Sequence, residues 1–343
     1  MPSLPPLLAK LATGASLSKT EAKTAFEIVM SGESTPSQIG ALLMGMRVRG
    51  ETVDEIAGAA IAMRDKAITI DAPPNAIDTA GTGGDGIGTL NISTCAALVA
   101  AGCGVPVAKH GNRAISSKSG SADVLKTLGV NIEASMELIR ESLWSIGIGF
   151  FMAPRHHGAM RHVAPTRIEL GTRTIFNLLG PLSNPAGTTR QLVGVFDSHW
   201  CVPLAEVLGS LGSSHVWVVH GTDGMDELTT TGPSLVAAFK DGSVTTFEVT
   251  PEDANVPRSR IEDLIGGDPE FNAREIRELL DGKPGPYRDI VVMNTAAALV
   301  VAGKANSLSD GASQAVHAIV SGKASSTLSK LIEITNREAI ITS

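Results

Sequence analysis

Residues 81–94 read GTGGDGIGTLNIST. Glycines at that density let a backbone come very close to a ligand. The stretch before it, NAIDTA at 75–80, suits a short buried strand. The stretch after it, STCAALVAAGCG at 93–104, is Ala-rich and apolar and predicts a buried helix, and VPVAKHG at 105–111 predicts a second strand. A strand–loop–helix–strand unit of this kind implies a right-handed parallel crossover. A glycine loop feeding a helix N-terminus offers free N–H groups and the positive end of the helix dipole, an anion site suited above all to phosphate. The alternative is a tight turn with no ligand. Gly81-x-Gly83-x-x-Gly86 also satisfies the dinucleotide pattern, but that site needs an acid about 20 residues on to hold a ribose diol. This chain has Lys109 and His110 near that point, and a cation there suits further phosphate. There is no Walker A pattern.

Three more clusters carry chemistry. KHGNRAISSKSGSADVLKTLG at 109–129 follows the second strand, where open α/β sheets bind ligands. Lys109 can pair with phosphate, and Ser116, Ser117, Ser119, Gly120 and Ser121 open a helix with hydroxyls and N–H groups for a second anion; the alternative is a serine-rich capped helix. APRHHGAMRHVAPTRIELGTRTIF at 153–176 holds Arg155, Arg161, Arg167 and Arg173 with His156, His157 and His162. A guanidinium near anion sites suits a carboxylate, although an arginine alone is more often a solvated face. HGTDGMDELTTTG at 220–232 gathers Asp223, Asp226 and Glu227 after the apolar run HVWVV. Carboxylates beside a polyphosphate site are natural magnesium ligands; the alternative is an acidic turn. Two phosphate cradles, a carboxylate pair and a carboxylate-binding arginine fit one substrate pair, a phosphorylated sugar diphosphate and an acid.

These clusters need elements to position them. Residues 1–70 predict four short helices, with capping-box spacings at Ser18/Glu21, Thr35/Gln38 and Thr52/Glu55 and Pro36 at a first helical position. Met44, Met46 and Met63 read as core or subunit interface. From about residue 74 strands and helices alternate. AIDTA, VPVAKHG, GVNIE, GIGFFMA, QLVGVFD, HVWVVHG and DIVVMNTA all read as strands of a mostly parallel sheet with helices on both faces. TIFNLLGPLSNPAG, with Gly180, Pro181 and Pro185, reads as a helix and connector, and 251–273 as an extended surface excursion. The fold class is therefore α/β: a small N-terminal helical domain, then a large sheet domain.

Composition narrows the function. Of 343 residues 43% are hydrophobic and 18% charged, with net charge −7 and only 3% aromatic. Scarce aromatics and acidity disfavour nucleic-acid and membrane roles. Cys95, Cys103 and Cys201 are widely spaced in apolar surroundings and read as reduced core thiols of a cytoplasmic protein. The proline-broken start MPSLPPLLAK does not read as a signal peptide, and no apolar run is long enough to span a membrane.

GTGGD, KHGNR, SSKSGSADVLKTLG, RTIFNLLGPLSNP and HGTDGMDELT, in this order and spacing, closely resemble the anthranilate phosphoribosyltransferase family, from the first helices nearly to the C-terminus. The resemblance implies transfer of a phosphoribosyl group from phosphoribosyl pyrophosphate to anthranilate in tryptophan biosynthesis, with Mg²⁺ as cofactor. It implies a homodimer formed through the helical domain. It also implies that part of 165–190 folds back onto the 1–70 helical domain, leaving 71–343 as the donor-binding α/β domain. Carried over by motif, Gly81, Gly84, Asp85, Thr89, Asn91, Ser93, Thr94, Lys109 and Ser121 form the donor site. Gly81, His110, Asn112, His157 and Arg167 form the anthranilate site, with Arg167 facing the carboxylate. Ser93, Asp226 and Glu227 hold the metal, and Lys109, Asp226 and Glu227 carry catalysis. The family commonly has proline where this chain has Gly158. Two other readings compete: a pyrimidine nucleoside phosphorylase, whose basic loop carries a serine–glycine–arginine run where this chain has Gly111-Asn112-Arg113, and a non-catalytic relative that binds nucleic acid.

Overall fold

The computed structural model describes residues 3–114 and 118–337. Ser116 and Ser117 of the second cluster lie outside the described residues. The chain opens with four helices, α1 Leu4–Ala12, α2 Lys19–Ser31, α3 Pro36–Arg49 and α4 Val53–Asp65. Ser18, Thr35 and Thr52 each cap the next helix, accepting from the backbone N–H of the third helical residue, whose own side chain returns the bond. These reciprocal bonds satisfy donors that the helix cannot satisfy itself. Met46 and Met63 are buried in the bundle.

Seven strands follow: β1 Ile77–Gly81, β2 Val107–Gly111, β3 Ile148–Met152, β4 Arg190–Gly194, β5 His215–Gly221, β6 Ser234–Lys240 and β7 Ser243–Val249. Their order is β3-β2-β1-β4-β5-β6-β7. The first five are parallel, and β6 and β7 add an antiparallel edge. Successive residues of β5 serve opposite faces: Trp217 and Val219 join one core, Val216 and Val218 the other. Burial of both faces is what a parallel sheet requires.

The helices after the bundle are α5 Ile92–Gly102, α6 Ser121–Leu128, α7 Met136–Ile146, α8 Ala153–His156, α9 Ala164–Leu170, α10 Phe176–Leu182, α11 Cys201–Ser210, α12 Pro269–Leu280, α13 Pro286–Ala302, α14 Leu308–Val320 and α15 Lys323–Thr335. One core packs α5, α6 and α12–α15 on the sheet. The other joins α1–α4 to α10, α11 and Val163.

Two expected strands are something else. DIVVMNTA lies inside α13, where Ile290–Leu299 is buried on every side. Without a polar face, a β-branched apolar run has no period to separate helix from strand. GVNIE is a turn rather than a strand. Gly129 takes a left-handed conformation at the end of α6, and Val130 N–H donates back to the Leu125 carbonyl at 2.9 Å. Val130 and Ile132 are buried as loop residues. The 251–273 segment is also less open than expected. Ile265 pairs with Thr89, and Leu90 N–H donates to the Leu264 carbonyl at 2.9 Å. The excursion therefore closes over the glycine loop.

Helices α2 and α4 meet at Gly58, where an added Cβ would stand 2.3 Å from the Lys19 carbonyl oxygen and 2.8 Å from Ala22 Cβ. Overpacking of this kind costs about 1–3 kcal/mol. Gly58→Ala should therefore lower stability by about that amount in urea denaturation; an unchanged midpoint would disprove the close contact.

Candidate active site

Strands β1, β2, β4 and β5 all end in glycine at the carboxyl edge of the sheet, at Gly81, Gly111, Gly194 and Gly221. Gly81 and Gly194 are paired in register. A Cβ on Gly194 would stand 1.5 Å from the Asp226 carbonyl oxygen, and one on Gly81 would stand 2.7 Å from Asp226 Oδ2. Only glycine at both ends lets the turn after β5 lie across the strand tips. Asp226 Oδ2 then accepts from Gly83 N–H at 2.7 Å, and Glu227 Oε1 accepts from Ser93 N–H at 3.2 Å. Ser93 is in the first turn of α5, so Glu227 sits at the positive end of that helix. Gly83 and Gly84 have φ of 63° and 78°, conformations that a side chain would strain.

The two acids are partly exposed to the cleft and crowded by other carboxylates. Burial, and then the charge of Asp85, pushes Asp226 up to about 6; burial and Asp226 push Glu227 up to about 8. Both therefore hold a proton more tightly than ordinary carboxylates, and a cation bound there has to displace it. With the Ser93 hydroxyl they form a set of hard oxygen donors that fits magnesium. No group of three or more His, Cys, Asp or Glu among the described residues forms a closed metal cage. Magnesium bound by one or two carboxylates completes its shell with phosphate and water. Asp223 is used differently: its Oδ2 accepts from the Thr229 and Thr231 hydroxyls at 2.6 and 2.7 Å and so shapes the turn.

Lys109 reaches the same place from β2. It is buried, and Nζ donates to the Thr79 carbonyl at 2.6 Å. Burial lowers its pKa, while the charges of Asp78, Glu227 and Asp226 oppose that shift. Asp78 is fully buried and accepts from Asn184 Nδ2 at 2.7 Å and His110 N–H at 3.2 Å. Neither Asp78 nor Asn184 was expected from the sequence; they are 106 residues apart with no local motif to link them.

Among the remaining expected donor residues, Asp85 Oδ1 accepts from Ile87 N–H, and Thr89 pairs with Ile265. Ser121 opens α6 and donates to the Asn112 carbonyl at 3.3 Å, while Thr94 is buried. Asn91 has its side chain committed within the protein. Its Oδ1 accepts from Ser119 Oγ at 3.1 Å and Asn272 Nδ2 at 2.9 Å, and its Nδ2 donates to the Ser119 carbonyl at 3.1 Å. Asn91 thus ties the two loops and α12 together.

The His110 and His157 rings meet edge to face with centroids 5.2 Å apart. Burial and their mutual proximity push His110 down to about 3; burial and then His156 push His157 down to about 4. Both are neutral near pH 7. His110 Nδ1 lies 3.1 Å from the Gly180 carbonyl, so the neutral ring donates there and keeps a lone pair at Nε2. That Nε2, and Nε2 of His157, are buried without a hydrogen-bond partner. Arg167 is half-buried with its guanidinium 5.2 Å from the Phe176 ring centroid, and no carboxylate among the described residues pairs with it. Asn112 is exposed just past the end of β2, where its carbonyl accepts from Ser121 Oγ. Gly158 needs no glycine: a Cβ there would meet open space.

The helical bundle matches the model of the glycosyl transferase family, helical bundle domain, over residues 5–67, and the sheet matches the family's a/b domain over 73–325. The fold and site thus define a two-part glycosyl transferase. The chain is 63% identical over 331 residues to anthranilate phosphoribosyltransferase of Paramagnetospirillum magneticum, covering 96% of each, and 62% identical to that of Rhodospirillum rubrum, covering 96% of this chain and 94% of the other. The crystal structure of the Thermus thermophilus enzyme superposes with a TM-score of 0.91 at 44% identity, covering 96% of this chain and 99% of that one. The Saccharomyces cerevisiae enzyme in complex with phosphoribosyl pyrophosphate and Mg gives 0.88 at 28% identity, with 97% of both chains covered. The chain belongs to the anthranilate phosphoribosyltransferase family.

The raised acids predict a pH-dependent metal effect. Their stabilising contribution is fully present below the unfolded carboxylate range and is lost as pH rises through about 6 and then about 8. A divalent cation replaces those protons. Mg²⁺ should therefore raise Tm more at about pH 9 than at about pH 6; equal rises at both, measured by differential scanning calorimetry, would refute the pairing.

Proposed function

We propose that this chain transfers the phosphoribosyl group of phosphoribosyl pyrophosphate to the amine of anthranilate and releases pyrophosphate. The observation that carries the reading is the convergence of the glycine loop, Lys109 and the Asp226–Glu227 pair at one sheet edge, with the neutral His110–His157 pair beside Lys109 at the end of β2. Loss of anthranilate fluorescence with phosphoribosyl pyrophosphate and Mg²⁺ tests it. Thymidine or uridine phosphorolysis in place of that signal would favour a nucleoside phosphorylase.

Asp226 and Glu227, with Ser93, would hold Mg²⁺, which when bound neutralises charge on the departing pyrophosphate. The backbone N–H groups of the 81–94 loop and of the α5 N-terminus bind the anionic donor, with Lys109 adding a buried cation. The anthranilate carboxylate faces Arg167, with which no carboxylate among the described residues pairs. The amine is neutral with its lone pair available, so what it needs is alignment. His110 Nε2, an acceptor, can take one amine N–H and aim that lone pair at the anomeric carbon. A ring with a pKa of about 3 or 4 is too weak a base to drive proton removal in the transition state.

Within this reading, residues 1–70 with part of 165–190 form a helical unit that closes on the 71–343 domain and excludes water from the donor. The packing of α10 in one core with α1–α4 supports the assignment of 165–190 to this unit, and the same core continues into α11 and one face of β4 and β5, where any closing motion would hinge. The chain forms a homodimer through the helical unit. Val48 on α3 and Ile168 on α9, which packs on α3, are 82% and 80% exposed, apolar side chains that a second copy would cover. The enzyme works in the cytoplasm; no helix among the described residues is long and apolar enough to cross a membrane.

A charge-assisted hydrogen bond is worth about 1.5–3 kcal/mol. Arg167→Ala should raise KM for anthranilate by about 10- to 150-fold and leave donor affinity nearly intact; an unchanged KM would exclude the assignment. His110→Ala and His157→Ala should each lose less than about 10²-fold in kcat. The Asp226→Asn, Glu227→Gln double variant should lose more. A histidine variant slower than the double variant in steady-state assays would reverse the account.

A further inference from the structure

We propose that Arg173 is a positioning residue that holds the donor loop from the acceptor side, acting through the Gly84 carbonyl; the inference rests on the phosphoribosyl-transfer reading above. Arg173 lies in the short connector between α9 and α10, six residues after Arg167. Its guanidinium donates to the Gly84 carbonyl and lies over the Phe196 ring, 4.2 Å from the centroid. Its Nε and terminal nitrogen stand 3.8 Å from where a Gly84 Cβ would be. The side chain is exposed, and no carboxylate among the described residues pairs with it. An exposed arginine without a counter-ion, committed to one peptide and one ring, is not a solvated face.

The glycine loop is held from three directions. Asp226, after β5, takes Gly83 N–H. Phe196, after β4, donates its N–H to Thr82 Oγ1 at 3.0 Å. Both of these come from the same sheet edge as the loop. Arg173 comes from the segment whose helix α9 packs on α3 of the bundle. It is therefore the tie between the segment that carries Arg167 and the loop proposed to bind the donor. Because the peptide is planar and trans, turning the Gly84 carbonyl toward Arg173 turns the Asp85 N–H to the opposite side of the loop. Arg173 thus fixes which face of the loop offers its donors. Gly84, at φ 78°, has no side chain to fix that peptide itself. A planar guanidinium can stack flat on Phe196 and donate to the carbonyl in its own plane at once; a lysine ammonium has no plane to stack and does both less well.

Because Arg167 and Arg173 share one short segment, seating the acceptor carboxylate on Arg167 also steadies the arginine that holds the loop. Acceptor and donor should then bind cooperatively through Arg173. The test uses wild type, Arg173→Ala and Arg173→Lys as full chains. Measured are kcat, KM for each substrate, Tm, and the Kd of phosphoribosyl pyrophosphate with and without 4-fluoroanthranilate. Wild type should show donor binding tightened by the analogue. Arg173→Ala should raise KM for the donor about 10-fold or more, keep Tm near wild type and lose that tightening. Arg173→Lys should recover part of both. Arg173→Ala with donor KM within about twofold of wild type, or with the tightening intact, overturns the proposal. So does a fall in Tm that accounts for the lost activity and that lysine does not repair. A wild type that consumes no anthranilate would instead refute the underlying reading.

Discussion

The site depends on one close approach. The peptide of Asp226 lies against the tips of β1 and β4, where neither Gly81 nor Gly194 has a Cβ to hold it off. From that contact follow the bonds of Asp226 to Gly83 and of Glu227 to Ser93. These draw the glycine loop and the start of α5 around the acid pair. A methyl group at Gly194 would collide with the Asp226 carbonyl and force the turn away, while one at Gly81 would crowd the Asp226 carboxylate itself. The sheet supplies the rigidity that makes so tight a contact reproducible, since both its faces are packed.

Electrostatics then sorts the buried groups by role. Asp226 and Glu227 are held above the ordinary carboxylate range by burial and by neighbouring like charge. His110 and His157 are dry and neutral, so they offer shape and a lone pair without a charge. Arg167 is half-buried against an aromatic face, and no carboxylate among the described residues pairs with it. The acid at Asp78 stays behind Lys109 and His110, where Asn184 and backbone N–H groups satisfy it. Each group is unusual in the direction its proposed partner would correct.

Much of this was legible in the sequence, for local reasons. The capping boxes at Ser18, Thr35 and Thr52 are contacts between residues three apart, and all three formed. The glycine loop, Lys109 and the acid pair stood out because glycines and charges at strand ends are rare without cause. What escaped was non-local or lacked a period. The β6–β7 hairpin is the exception, for its signal is local: Asp241-Gly242 lies between alternating strands, and both residues have positive φ as the tight turn requires. Helix α13 was hidden by its own burial. Asp78 with Asn184, and Gly194 with Asp226, are pairings that only the folded chain reveals.

The shared core of the bundle bears on how the protein is made. Helices α1–α4 pack with Val163, Ile175, Phe176, Leu178, Leu179 and Leu182, and beyond them with Trp200 and Leu204 of the sheet-side layer. A ribosome delivers the first four helices with their apolar faces exposed and supplies the covering residues only after β1, β2 and β3 have emerged. The bundle therefore emerges with part of its core still missing. Its completion waits on the middle of the chain, and a chain halted before α10 leaves the tunnel would present an unfinished apolar surface to chaperones and proteases.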